Sequence, residues 1–133
     1  MRSRIVATIC AIAWAMLTIV LAAQEGHPLT GTWSGDWGPT ADKRTRVTLV
    51  MTWDGKAIAG TINPGPEAMT LGPVTIDYSK WTVRIEADGK DSSGKAVRVL
   101  ADGKIDALGS WHRTLSGTWT QAGATGTFKL TRD

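Results

Sequence analysis

The chain has 133 residues, with fifteen Lys and Arg against twelve Asp and Glu and a single cysteine, Cys10. That length suits one domain, and one cysteine allows no internal disulfide, so packing must supply the stability. The formal charge of +3 is spread over interspersed charges of both signs; without a basic stripe and interleaved aromatics, it argues against nucleic-acid binding.

The first 23 residues differ from the rest. Arg2 and Arg4 form a basic tip, and no charge follows from Ile5 to Ala23, where Gln24 and Glu25 resume a polar chain. A basic tip, an apolar run and a small-residue exit describe a secretory signal peptide. The expected cleavage is after Ala23, with Ala22 as the other choice. The apolar run also approaches the roughly 20 residues of a membrane helix, so an uncleaved anchor is the alternative. Cys10 follows Ile9, not the small residue that a lipid-attachment cysteine needs. The expected organisation is a signal helix over 1–23, a short linker over 24–29 and one domain over 30–133. Removing Arg2 and Arg4 leaves thirteen basic residues against twelve acids, a net charge of +1. The only basic cluster left, Lys43-Arg44-x-Arg46, reads as a solvated turn.

The remaining chain of about 110 residues can bury roughly two-thirds of its unfolded surface. It holds six tryptophans, with one Phe and one Tyr. A buried indole removes on the order of 200 Å² from water, so a few of them dominate a small core. After Pro28 no segment has the period of a helix. Thr, Val, Ile and Trp are frequent, and Gly, Asp and Asn recur at short intervals, as in many short antiparallel strands.

The first strand is expected over about 30–37. In the second, about 45–53, Val47, Leu49, Met51 and Trp53 share one face. Asp54-Gly55 then signals a tight hairpin, with a return over 56–62. Asn63-Pro64-Gly65-Pro66-Glu67 is a loop, because neither proline can donate to a ladder. A strand follows over about 72–77. Trp81, Val83, Ile85 and Ala87 alternate with polar residues in the fifth strand, about 81–87, and Asp88-Gly89 opens a polar loop running to Gly94. The sixth strand spans about 96–105, where Asp102-Gly103 could end or bulge it. Ala107–Arg113 reads as a loop or a short edge segment. The last two strands are about 115–121, with Leu115, Gly117, Trp119 and Gln121 on one face, and about 125–131. Short connections favour pairing of sequence neighbours. The fold class is therefore all-β: an eight-stranded antiparallel up-and-down meander, closed into a barrel or partly open. Closure removes both exposed edges.

A short pattern recurs without a fixed period. Leu29-Thr30-Gly31-Thr32-Trp33 echoes Leu115-Ser116-Gly117-Thr118-Trp119, and Gly60-Thr61-Ile62 echoes Gly126-Thr127-Phe128. A glycine inside a strand lets a sheet bend sharply, or lets a neighbouring ring lie over the backbone.

Gly31-Thr32-Trp33 resembles the Gly-x-Trp of the calycin group (lipocalins, fatty-acid-binding proteins and avidins). In that group a basic residue near the end of the last strand packs across the tryptophan. Arg132 stands at the matching position and shares parity with Phe128 and Leu130. The resemblance implies an eight-stranded barrel with Arg132 over Trp33. The ending Gly117-Thr118-Trp119…Gly126-Thr127-Phe128…Arg132 also resembles small exported bacterial lipocalin-like domains of unassigned function. Ser34-Gly35-Asp36-Trp37 departs from the avidin segment that holds biotin.

Catalytic and metal signals are sparse. His27 lies near the expected cleavage point, in a terminus expected to fray, and no second histidine lies near His112, so no metal-ligand spacing appears. Ser110 and His112 are close in sequence but lack a nucleophile elbow. Asp88, Asp91, Asp102 and Asp106 read as turn carboxylates. No cofactor is implied. Trp33, Trp53, Trp81 and Trp119 fit either a filled core or a barrel mouth, in which Tyr78, Gln121 and Arg132 would orient a ligand. Trp37 and Trp111 are expected to be exposed. The functional expectation is a non-enzymatic exported binding module, periplasmic or extracellular, for a small apolar or amphipathic ligand. The alternative is a structural or interaction domain of the cell envelope with a filled barrel. After cleavage no membrane insertion is expected.

Overall fold

The computed structural model describes residues 27–133; the expected signal helix and both cleavage choices lie outside the described residues. Eight strands follow in chain order: β1 (Gly31–Gly38), β2 (Thr45–Trp53), β3 (Ile58–Ile62), β4 (Met69–Asp77), β5 (Thr82–Lys90), β6 (Ala96–Asp106), β7 (Thr114–Gln121) and β8 (Ala124–Arg132). Each pairs antiparallel with its sequence neighbour, and β1 also pairs with β8, so the meander closes into a barrel. Closure leaves no outer edge for another chain to extend.

Alternation along the strands decides what fills the barrel. Inward positions include Trp33, Leu49, Ile62, Val99, Leu115 and Leu130, none of which exposes any surface. A cavity able to hold one water would leave accessible surface on the side chains around it. The axis is therefore packed with side chains, as small eight-stranded barrels allow.

Three of the recurring glycines, Gly60, Gly117 and Gly126, sit where backbones approach too closely for a side chain. A Cβ on Gly117 would lie 2.0 Å from the Asp102 carbonyl oxygen, and one on Gly126 would lie 2.0 Å from that of Gly38. Gly103, opposite Gly117, neither ends nor bulges β6. The Phe128 ring lies against it, with Cζ 2.8 Å from where a Cβ would stand.

Turn chemistry sets several strand ends differently from the sequence expectation. The hairpin at Asp54-Gly55 forms, but its loop runs through Ala57. The Asp54 carboxylate accepts from the amides of Lys56 and Ala57, each at 2.8 Å, so β3 starts at Ile58. These two bonds, Ala57 first, hold the Asp54 pKa below the usual carboxylate value. The fifth strand runs on through Asp88-Gly89 to Lys90, because Asp88, Gly89 and Lys90 pair with Arg98, Val97 and Ala96 of β6, and Met69 occupies the space that a side chain on Gly89 would need. The turn forms at Asp91, which accepts from the Ser93 hydroxyl at 2.6 Å and the Lys95 amide at 3.0 Å. Trp81 takes a left-handed φ of 55° and belongs to the turn before β5. Ala107–Arg113 is a loop.

The fourth strand starts at Met69, earlier than expected, because Met69 pairs with Ile62 and Thr70 with Thr61. Those two pairs are all that join β3 to β4. Between Leu71 and Val74 the register against β5 shifts by one residue, a bulge at Gly72-Pro73. A bulge bends its strand and re-aims the residues after it, and Pro73 has no N–H to pair. Past the bulge, Val74 and Ile76 are partly buried against the core while Pro73 and Thr75 are exposed. The bulge thus opens a gap between β3 and the second half of β4.

Candidate functional site

The barrel has two dissimilar ends. At the end carrying His27 and Asp133, Leu29 is fully buried, and the Trp33 indole donates to its carbonyl at 2.9 Å. Arg132 pairs across the sheet with Trp33. Its guanidinium lies 6.0 Å from the Trp33 ring centre and 4.1 Å from that of Trp111. It donates to the carbonyls of Trp111 at 2.9 Å and Thr30 at 3.2 Å. Burial, and then the nearby Arg113 charge, lowers the Arg132 pKa from its ordinary value. Arg132 therefore ties the last strand to the segment entering the first. Trp111 is exposed, and its indole donates to the Asp133 carbonyl at 2.7 Å.

The opposite end is closed by aromatic packing. Trp37 stacks on Trp119 with ring centres 5.9 Å apart, and Trp119 meets the edge of Phe128 at 5.6 Å. Trp37 is thus buried, against the expectation of exposure. It shares parity with Trp33 along β1, and that parity was the signal that could have placed it inside. The Trp119 indole donates to Gln121 Oε1 at 3.0 Å. Gln121 lies at the rim of a polar hollow of about 280 Å³ with Asn63, Glu67 and Lys90.

The seven residues proposed to line one mouth are thus divided. Trp33 and Arg132 plug one end, and Trp119 and Gln121 sit at the other. Trp53, Tyr78 and Trp81 remain near the gap between β3 and β4. Trp53 and Tyr78 line a cleft there of about 250 Å³, with His27, Lys56, Ile58, Val74 and Ile76. Trp81 stands outside this lining and meets Tyr78 edge-on at 5.7 Å.

His27 is the residue that sequence reasoning missed. Far from fraying, it is buried and lies on Trp53, with ring centres 4.5 Å apart. Its Nδ1 accepts from the Leu29 amide at 3.2 Å, and its Nε2 lies 3.3 Å from the Tyr78 hydroxyl. Burial lowers its pKa. Nothing in local sequence marked it, because the strands it touches lie far along the chain. Val74 and Ile76 were likewise hidden by the bulge that turns them inward.

Other candidate chemistry does not assemble. Ser110 Oγ accepts from the His112 backbone amide, while the His112 ring bonds to the Arg132 carbonyl. Among the described residues, no three His, Cys or carboxylate side chains converge as a metal site. A hollow of about 490 Å³ is a trough on the outer face of β4–β7. It contains no aromatic ring, and its Arg84 and Asp102 lie 3.9 Å apart as an ion pair. No known family, curated protein or solved structure matches this chain.

Proposed function

We propose that the chain is an exported, non-enzymatic binding module of calycin-like form, taking a small apolar or amphipathic ligand in the cleft beside Trp53. The observation that carries this reading is the gap between β3 and the bulged part of β4. It exposes apolar walls and sets an indole, an imidazole and a phenol around one opening. Concave, mostly apolar sites with a few convergent polar groups are the usual form of ligand pockets. The packed axis directs the ligand to this cleft and away from the barrel interior. The approach of Arg132 to Trp33 supports the calycin-like assignment. The basic tip and apolar run of Met1–Ala23 support export to the periplasm or the medium.

The test is a titration of intrinsic tryptophan fluorescence with fatty acids, aromatics, biotin and short glycans, repeated on Trp53→Leu. A saturable change that Trp53→Leu abolishes, with the circular dichroism spectrum preserved, supports the reading. The absence of any saturable change refutes it. The second reading, a structural or interaction domain of the envelope, draws on the packed axis and on the exposure of Trp111 and Tyr78. Exposed aromatic rings suit docking to a protein partner.

A further inference from the structure

The polar groups around the cleft restrict what kind of head group can enter it. The Leu29 amide donates to His27 Nδ1, so that nitrogen carries a lone pair and no proton. In a neutral imidazole the proton is then on Nε2, which faces the Tyr78 oxygen at 3.3 Å. Burial lowers the His27 pKa, which favours this neutral form near pH 7. The phenol oxygen accepts from His27, and its own hydrogen remains available to a further acceptor.

Lys56 lines the same cleft and forms no ion pair among the described residues. The neighbouring acids stay ionised, since turn hydrogen bonds lower both pKa values, but an acceptor oxygen of each is engaged in its own turn. Asp54 accepts from two turn amides, and Asp77 accepts from the Ser79 amide and hydroxyl at 2.9 and 2.6 Å. The cleft therefore offers two donors, one of them charged, above walls made by Ile58, Val74 and Ile76. A ligand cation would meet Lys56, and a polyol would find donors with few acceptors. The volume of about 250 Å³ falls below the roughly 300–1,000 Å³ of drug-sized pockets, so the body must be small.

Resting on the binding-module reading, we infer that the cleft takes a small monocarboxylate with a compact apolar body. Its head group is held by the Tyr78 hydroxyl and the Lys56 ammonium. The apolar body lies against Trp53 and the strand walls. A charge-assisted pair at a half-open site is worth on the order of 1 kcal/mol, a fivefold preference for acid over amide.

The experiment titrates the purified chain with phenylacetate, phenylacetamide and phenethylamine, read by calorimetry and by the Trp53 indole N–H in a proton–nitrogen NMR spectrum. The expected order is acid, then amide, then amine. The advantage of acid over amide should disappear in Lys56→Met and persist in Tyr78→Phe, which should instead weaken acid and amide binding together. Equal affinities, or a preference for the amine, overturn the anion assignment and leave the binding module standing. Saturable binding of phenylacetate that does not shift the Trp53 signal overturns the location. A chain that binds none of these and none of the wider fluorescence panel loses the binding module itself.

Discussion

Replacing Gly117 by alanine adds one methyl group where the barrel has no room for it. The new Cβ would stand 2.0 Å from the Asp102 carbonyl oxygen and 2.7 Å from Gly103 Cα. Both obstacles are backbone atoms of β6, which no rotamer change can move aside. Inserting a methylene into a packed core costs about 1–3 kcal/mol when side chains can shift. With backbone in the way, the upper end, about 3 kcal/mol, is expected. For a domain of this size that lowers the melting temperature by roughly 12–24 °C. Gly109 is the internal control. A Cβ there meets nothing within 4 Å, and the residue has no positive φ. Gly109→Ala should leave stability unchanged or raise it by about 0.4–1 kcal/mol, through a less flexible unfolded chain. Thermal and urea unfolding of both variants, followed by circular dichroism, compares them directly. If Gly117→Ala melts within about 2 °C of the parent, then β6 and β7 do not approach this closely, and the account of the in-strand glycines is wrong.

Three further outcomes follow from named contacts. Arg132→Met keeps the aliphatic stem but removes the donors to the Trp111 and Thr30 carbonyls, and should cost about 2–3 kcal/mol in urea unfolding; an unchanged midpoint would show that Arg132 does not clamp this end. Trp37→Ala removes a ring stacked on Trp119 and should cost about 3–5 kcal/mol, whereas an exposed tryptophan would cost almost nothing. The lowered His27 pKa sets a sign for the pH dependence. The folded chain binds the proton less readily than the unfolded chain, so stability falls as pH drops through the ordinary histidine range and levels off below the folded value. His27→Gln should flatten that part of the stability profile, and a profile identical to the parent's would remove His27 from the cause.

Strand alternation, turn residues and in-strand glycines act over a few neighbours, which is why the eight-stranded meander could be read from the chain, while its closure through β1 and β8 could not. The hydrophobic faces of β2 and β5 appear as written, apart from Trp81, and all eight strands lie close to their expected places. Errors of boundary arose where a carboxylate or a distant side chain intervened. Asp54 bonds to Lys56 and Ala57 and delays β3, and pairing of residues 88–90 with residues 96–98 of β6 carries β5 past Gly89, where Met69 takes the room of a side chain.

The candidate site was less legible because its members come from separate segments. Sequence parity set Trp119 on the face of Leu115 and Arg132 on that of Phe128 and Leu130, but parity does not say at which end of a barrel a side chain lies, or whether the axis is hollow. That depends on how rings from different strands meet, as Trp37, Trp119 and Phe128 do. The gap between β3 and β4 depends on one extra residue in β4, and its occupant, His27, comes from before the first strand. The period of two and the turn signals determined an eight-stranded antiparallel meander, because those signals are local. Only the tertiary structure decided that the meander closes through β1 and β8, that its axis is filled and that a cleft lies beside Trp53, because all three depend on packing between residues distant in the chain.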